Sequence, residues 1–149
     1  MVDERGDSFL AENVKGLAMD LIAAWNRQMD AAQKATEFAD VRPADQRLFG
    51  YLRGRPTPMS AIHVGLEISR QAAQQSVARL QAQGLVELRH REHNARDKAV
   101  LVTARGQRLR AFAAKQIDRI EKDCAEAIGA DGLDSLRQLL KQLLQNQST

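Results

Sequence analysis

The chain has 149 residues, enough for one domain with a hydrophobic core. An apolar share of 44% and a charged share of 28% argue against a disordered or fibrous protein. No apolar run is long enough to cross a membrane. The N-terminal residues are polar and acidic and lack the basic and apolar segments of a signal peptide, so we expect a cytoplasmic protein with residues 1–8 disordered.

The net charge of +3 is unevenly distributed. Residues 69–110 carry nine Lys or Arg and three acids, a local charge of +6, while the rest of the chain carries −3. A basic block in a nearly neutral protein indicates a surface that faces a polyanion. A solvated charged face explains the same pattern, and charge alone does not separate the two interpretations.

Apolar residues at three- and four-residue steps predict one long helix from Phe9 to about Ala39. Pro43 suits the first turn of a second helix, which we expect to run to about Arg53. Residues 54–58 contain a glycine and two prolines and predict a turn. A short helix from about Pro58 to Val64 follows, with a core formed by Met59 and Ile62.

The next segment has the pattern of a helix-turn-helix. Residues 65–68 predict a short turn, Ser69 an N-cap, residues 70–83 a helix, and Gly84 its C-terminal glycine. Apolar and polar residues then alternate over 85–90, and residues 98–103 form a second predicted strand after the polar loop 91–97. A hairpin directly after a helix-turn-helix is a wing.

Thr103 is expected to cap a long helix from Ala104 to about Ile128, and Gly129 to end it. Asp131 is the expected cap of a last helix, 132 to about 145, which carries six leucines. The first helix and the last two would form an intermolecular bundle, most simply a twofold homodimer. The alternative is that these leucines complete the core of a monomer; we favour the dimer because the long helices lie at opposite ends of the chain.

The predicted fold is mainly α with a small β-hairpin wing, a winged helix-turn-helix with long terminal dimerisation helices. We expect one integrated domain with three parts. These are an N-terminal dimerisation helix (9–40), a winged helix-turn-helix lobe that binds DNA (41–103) and C-terminal dimerisation helices (104–146).

Helical rotation separates two faces of the helix after Ser69. Ala73, Ser76, Val77 and Leu80 would point inward. The outward face contains no acid and carries three glutamines, and Gln can bond bidentately to adenine while Arg pairs with guanine or phosphate. The candidate DNA contacts on this helix are Ser69, Arg70, Gln71, Gln74, Gln75 and Arg79.

The wing supplies further candidate contacts. An arginine at a hairpin tip can enter the minor groove, and Arg96 is the candidate for this role. Arg91, His93 and Lys98 would contact phosphate, although a plain surface role suits Lys98 equally well. Thr57, near the start of the short helix, would offer its hydroxyl to a phosphate.

These segments resemble the MarR family, the multiple antibiotic resistance regulators. The resemblance runs through residues 68–71, 77–86, the wing residues 94–96 and residues 102–106. It implies that the helix after Ser69 reads the major groove, that Arg96 enters the minor groove and that the terminal helices dimerise. The chain departs from the family at Asn94, where an Asp that orients the wing arginine is usual, and at Gln81, where Glu is common.

The resemblance also implies a homodimeric regulator, more in keeping with a repressor than an activator, on a palindromic operator in double-stranded DNA. Many members of the family release DNA when a small aromatic compound binds between the dimerisation helices and the DNA-binding lobe. By resemblance, Trp25, Met29, Phe38 and Phe49 are candidates for such a pocket. Ordinary core packing explains each of these residues, and we favour it.

Other classes of function have less support. The chain has no phosphate-binding glycine loop, serine elbow or suitably spaced Cys–His pair, so we do not expect an enzyme. His90 and His93 lack further ligands, so we expect neither a metal nor another cofactor. Cys124 lies on an apolar helix stripe, which favours a buried thiol over a redox sensor. A winged helix that binds proteins, or DNA without sequence preference, stays open as an alternative.

Overall fold

The computed structural model describes residues 9–91 and 94–147, and only the backbone of residues 91 and 94–96. The chain divides into two compact units, residues 1–112 and 113–149. Its elements are helix α1 (Val14–Gln33), helix α2 (Pro43–Leu52), strand β1 (Thr57–Pro58), helix α3 (Met59–Leu66), helix α4 (Arg70–Ala82), strands β2 (Val86–Arg91) and β3 (Asn94–Val102), and helix α5 (Ala104–Gln147). The mainly helical fold with a small winged sheet confirms the predicted fold class.

The first helix is shorter than predicted at both ends. Residues 9–12 are helical, but the chain bends at Asn13. The Asn13 side chain accepts a bond from the Gly16 amide at 2.9 Å and donates to the carbonyl of Leu10 at 2.9 Å, so it starts a new helix and ties the preceding turn. At the other end the Thr36 hydroxyl donates to the Gln33 carbonyl at 2.6 Å, and residues 34–40 form turns.

The helix-turn-helix begins with α3 and ends with α4. Glycine 65 was predicted to lie in the turn, but α3 continues through Leu66, and Glu67 ends it with a left-handed φ of 55°. Gly65 is needed for packing, because a Cβ there would lie 1.8 Å from the Tyr51 hydroxyl. Ser69 then caps α4, and Gly84 follows the helix with a φ of 73°, as predicted.

The wing belongs to a three-stranded antiparallel sheet in the order β1-β3-β2. Strand β1, which the sequence did not predict, pairs Thr57 with Val100. The strands β2 and β3 extend into the predicted loop, with a register irregularity between His90 and Arg91. The predicted polar loop of residues 91–97 was therefore wrong in extent, since Arg91 and residues 94–97 are strand.

One face of this sheet joins the core of the first unit. Val86 and Val100 are buried against the inward residues of α4, and Leu88 and Val102 pack on the same cluster. Ala73, Ser76, Val77 and Leu80 are all buried, which confirms the predicted inward face of α4. Ile62 is fully buried and Met59 packs beside it, as predicted for the short helix.

A buried acid links α2 to α4 inside this unit. Asp45 is 0% exposed, and its carboxylate accepts two bonds from Arg79, from Nε at 2.9 Å and from Nη2 at 2.8 Å. The Ser76 hydroxyl donates to the same carboxylate at 2.5 Å. Burial raises the pKa of Asp45, but the hydrogen bonds from Arg79 and Ser76 outweigh that effect and hold the pKa below its ordinary 3.8.

Helix α5 starts at Thr103, whose hydroxyl accepts from the Gly106 amide at 3.0 Å and donates to the Gly84 carbonyl at 2.6 Å. In the second unit the helix is kinked at Gly129 (φ 81°, ψ 159°), the predicted break. Asp131 is not an N-cap as predicted, because the helix resumes directly after the glycine. None of the helices in residues 9–91 and 94–147 combines the length and hydrophobicity needed for a membrane span.

At Gly106 helix α5 approaches the sheet closely. A Cβ there would lie 2.3 Å from the Leu85 carbonyl oxygen and 2.6 Å from Val102 Cγ1. We expect Gly106→Ala to lower the unfolding free energy by about 1–3 kcal/mol, because backbone cannot yield without moving the sheet. Gly50, on α2, has open space at its Cβ, so Gly50→Ala should stabilise by about 0.5–1 kcal/mol. Urea denaturation measures both; equal effects would contradict the packing argument.

Asp45 should also make the stability of the fold depend on pH. Because its pKa is lowered in the folded chain, the ionised carboxylate stabilises the fold above pH 3.8, and this contribution is lost as the pH falls through the lowered value. We expect the stability difference between the wild type and Asp45→Asn to be greatest above pH 3.8 and to shrink as the pH falls below that value. Urea midpoints from neutral pH to about pH 2 test this; a constant difference would contradict it.

Candidate nucleic-acid interface

The N-terminal half of α4 presents a polar face. Ser69 accepts from the Ala72 amide at 3.0 Å through its hydroxyl, which fixes where the helix starts. Arg70, Gln71, Gln74 and Gln75 are all exposed, as the sequence predicted. This face carries amide and guanidinium donors and no carboxylate, so it can meet the donors and acceptors of base edges without repelling phosphate.

Arg79 differs from the other candidates on this helix. Its side chain is 36% exposed, and its Nε and Nη2 atoms are both bonded to the buried carboxylate of Asp45. The pair raises the pKa of the Arg79 guanidinium, chiefly through the hydrogen bond to Asp45. Sequence analysis treated Arg79 as a DNA contact and missed Asp45, because a lone acid on a neighbouring helix gives no local signal.

The base of the wing is joined to α3. Asp97 accepts from the Ser60 hydroxyl at 2.9 Å and from the Ser60 amide at 3.4 Å. Ser60 lies in the first turn of α3, where backbone amides point outward and favour a carboxylate. This contact holds β3 against the helix-turn-helix, and the sequence analysis did not identify it.

The structure describes the predicted wing contacts to different extents. Lys98 is exposed on β3, opposite His90. The backbone of Arg91 pairs with that of Asn94 near the hairpin tip, and Arg96 follows on the same strand. His93 lies outside the described residues.

Thr57 lies near the start of the short helix, as predicted, but in a strand. It lies on β1 and is half-buried, and its hydroxyl donates to the Arg55 carbonyl at 2.9 Å. Pro58 is the residue that precedes the first turn of α3. The predicted helix start at about Pro58 is therefore confirmed, while the pairing with β3 takes Thr57 into the sheet.

The four candidate ligand residues fall into two groups. Phe38 and Phe49 are 4% and 2% exposed and belong to the hydrophobic core of the first unit. The Arg105 guanidinium lies 5.4 Å from the centre of the Phe38 ring. Trp25 and Met29 are half-buried on α1. Phe38 and Phe49 thus have the core packing that the sequence analysis favoured.

Part of the basic block is neutralised inside the chain. Arg79 pairs with Asp45, and Arg89 Nη2 lies 2.7 Å from Glu87 Oε1. Arg108 bonds Glu37 at 2.8 Å, and this hydrogen bond is the main cause that lowers the pKa of Glu37. Glu87 is already subtracted in the formal +6 of residues 69–110, but Asp45 and Glu37 lie outside that segment, so the pairs of Arg79 and Arg108 lower the charge that it offers to a polyanion.

Metal chemistry has no site in the part of the chain that the structure describes, where no group of three His, Cys, Asp or Glu side chains could hold an ion. Cys124 is a half-buried free thiol on α5. The described residues at the site are thus hydrogen-bond donors on a capped helix that is followed by a wing, an arrangement that suits recognition.

Comparison with known proteins supports this interpretation. Residues 39–97 match the model of the MarR family, and this segment runs from before α2 into β3. A comparison with curated proteins finds no match. Wild-type MarR from E. coli, in its apo form, has a TM-score of 0.73 at 17% identity, covering 89% of this chain and 97% of that chain.

Two further solved structures carry a bound partner. FabT from Streptococcus pneumoniae, in complex with DNA, has a TM-score of 0.72 at 12% identity, covering 91% of this chain and 98% of that one. PcaV from Streptomyces coelicolor, in complex with its natural ligand, has a TM-score of 0.64 at 17% identity and covers 97% and 96%. The chain thus has the fold of these MarR proteins, and its residues 39–97 are similar to the MarR family.

Proposed function

We propose that this protein is a homodimeric, sequence-specific transcription repressor that binds a palindromic operator in double-stranded DNA. The observation that carries the proposal is the exposed, acid-free face at the start of α4, where Gln71, Gln74 and Gln75 stand beside Arg70. A helix of this width enters the major groove and reads base edges with its N-terminal turns. The DNA complex of FabT, which has the same fold, supports this assignment.

Each proposed contact has its own task. The three glutamines would read base edges, with bidentate bonds to adenine as the preferred geometry. Arg70 and the Ser69 hydroxyl would hold the phosphate backbone, as would Lys98 on β3 and Arg91 on β2. Arg96, by its place in the wing, would enter the minor groove. His93 and Thr57 keep phosphate contact as sequence predictions, although the Thr57 hydroxyl must first release the Arg55 carbonyl.

Exposed apolar side chains on the terminal helices support a dimer. On α1, Val14, Leu17 and Leu21 are 75%, 52% and 43% exposed at helical spacing. On the last part of α5, Leu139 and Leu143 are 56% and 54% exposed. Apolar surface of this kind marks an interface, and a second copy of the chain would cover it. A twofold dimer places two α4 helices on half-sites about one helical turn apart.

The proposal includes a small-molecule effector. PcaV, which has the same fold, is in complex with its natural ligand, and the resemblance to the MarR family implies a small aromatic compound that releases the DNA. Trp25 and Met29 are the accessible candidates for its site, since Phe38 and Phe49 would first have to leave the core. Such a protein acts where the chromosome is, and we place it in the cytoplasm.

The proposal is tested by in vitro selection from random duplex DNA at near-physiological salt. Recovery of a palindromic motif would establish a sequence-specific dimer and supply the operator. Salt-sensitive binding without any motif would contradict sequence-specific repression and indicate a non-specific DNA-binding protein. No binding at all would favour a winged helix that binds proteins.

Gln71→Ala and Gln74→Ala should change the sequence preference. We expect a loss of about 1–3 kcal/mol on the selected site for each change, and little loss on random duplex, because base contacts specify and phosphate contacts do not. Gln81→Ala, an exposed glutamine near the end of the same helix, is the matched control. Fluorescence anisotropy on both duplexes measures the effect, and an equal loss on both would make these glutamines backbone anchors.

A charge on the apolar face of the last helix should dissociate the dimer. We expect Leu140→Lys and Leu143→Lys to shift sedimentation from dimer to monomer, since burying an unpaired ammonium in an interface is unfavourable. Val64→Lys is the control, because Val64 is also an exposed apolar residue, 67% exposed, but belongs to α3 and not to a terminal helix. A wild-type chain that sediments as a monomer would contradict the dimer and indicate that the leucines serve another purpose.

A further inference from the structure

We infer that Asp45 is a positioning residue for the recognition helix α4, and that Arg79 serves this carboxylate instead of a DNA phosphate. The inference rests on the proposed DNA-binding function. It adds the interaction that fixes the orientation of the reading face, the exposed side of α4 formed by Arg70, Gln71, Gln74 and Gln75. It also changes the role that the sequence assigned to Arg79.

The geometry of the contact suits positioning. Asp45 is the third residue of α2, and its carboxylate bonds two residues of α4 that lie three apart, Ser76 and Arg79. Residues with this spacing lie on one face of a helix. Two bonds from the planar Arg79 fork and a third from Ser76 restrain the rotation of α4 about its axis as well as its position along it.

The reading face is sensitive to such a rotation. Gln74 and Gln75 directly precede Ser76 on the same helix, so whatever turns Ser76 turns them. At a radius of about 5–6 Å a rotation of 20° displaces a side chain by about 2 Å. A displacement of that size breaks a bidentate bond to a base, whereas a flexible cation can still reach a phosphate.

The environment of Asp45 explains why Arg79 stays with it. The carboxylate is 0% exposed, so losing Arg79 to a phosphate would leave a buried charge unpaired. The Arg79 side chain is 36% exposed, but its charge is already neutralised by Asp45. The Nε and Nη2 edge of its guanidinium is occupied by the bonds to that carboxylate. A neutralised pair releases no counterion from DNA and so adds nothing to the salt dependence of binding.

The test compares binding of a selected duplex and a random duplex over a range of salt concentrations. Asp45→Asn keeps the shape of the side chain but removes its charge, and Arg79→Lys keeps the charge but loses the bidentate fork. We expect both variants to lose at least about tenfold in the ratio of selected to random affinity, with an unchanged salt slope on random duplex. Arg137→Lys is the matched control, since Arg137 is 39% exposed and pairs with Glu121 and Asp134 on α5.

Opposite results would overturn the inference. If Arg79 contacts phosphate, Arg79→Gln must reduce the salt slope by about 0.9 for each contact. An unchanged affinity ratio in both variants would equally overturn it. Should Asp45→Asn fail to fold, Ser76→Ala and Arg79→Lys carry the same test, because each leaves part of the network in place.

Failure of the proposed function is distinguishable from failure of this inference. A wild-type chain that binds neither duplex contradicts the proposed function. Hydrogen exchange then tests the restraint of α4 by Asp45 in the absence of DNA. In folded Arg79→Lys, the amides of residues 70–82 should exchange faster than in the wild type, while those of α2 change less. Unchanged exchange in α4 would overturn the positioning role itself.

Discussion

The buried carboxylate of Asp45 is the constraint on which the helix-turn-helix depends. A charge with no exposure to water must be hydrogen-bonded, and the partners that the described part of the chain provides, Ser76 and Arg79, both lie on α4. Apolar packing of Ala73, Val77 and Leu80 would hold α4 on the core in several neighbouring rotations, since packing is not directional. The three bonds to Asp45 select one of them, and the exposed glutamines are oriented as a consequence.

A second set of local bonds fixes where each element begins. Ser69 starts α4 and Thr103 starts α5, each through a hydroxyl that accepts from an amide three residues on. The Thr103 hydroxyl also donates to the Gly84 carbonyl, so the end of the α4 segment and the start of α5 share one side chain. These caps are short-range chemistry, which is why the sequence predicted them correctly along with Gly84 and Gly129.

What the sequence failed to predict depends on residues far apart in the chain. Gly65 has the composition of a turn, but it serves the approach of Tyr51, which is distant in sequence. Strand β1 is two residues long and exists only because β3 pairs with it. Asp45 and Asp97 were likewise missed, since their partners lie 31 to 37 residues away. The exposed reading face of α4 could be predicted because helical rotation alone defines it.

The ion pairs in the structure change which of the basic residues are available to a polyanion. A count of Lys and Arg treats every cation as available to a polyanion, but Arg79, Arg89 and Arg108 each neutralise an acid of this chain. The surface pairs of Arg89 and Arg108 are weak and can be exchanged for phosphate at little cost, whereas the pair of Arg79 with a fully buried acid cannot. Under the proposed function, burial of the partner, and not the sign of the charge, therefore separates the arginines that are available to DNA from Arg79, which orients α4.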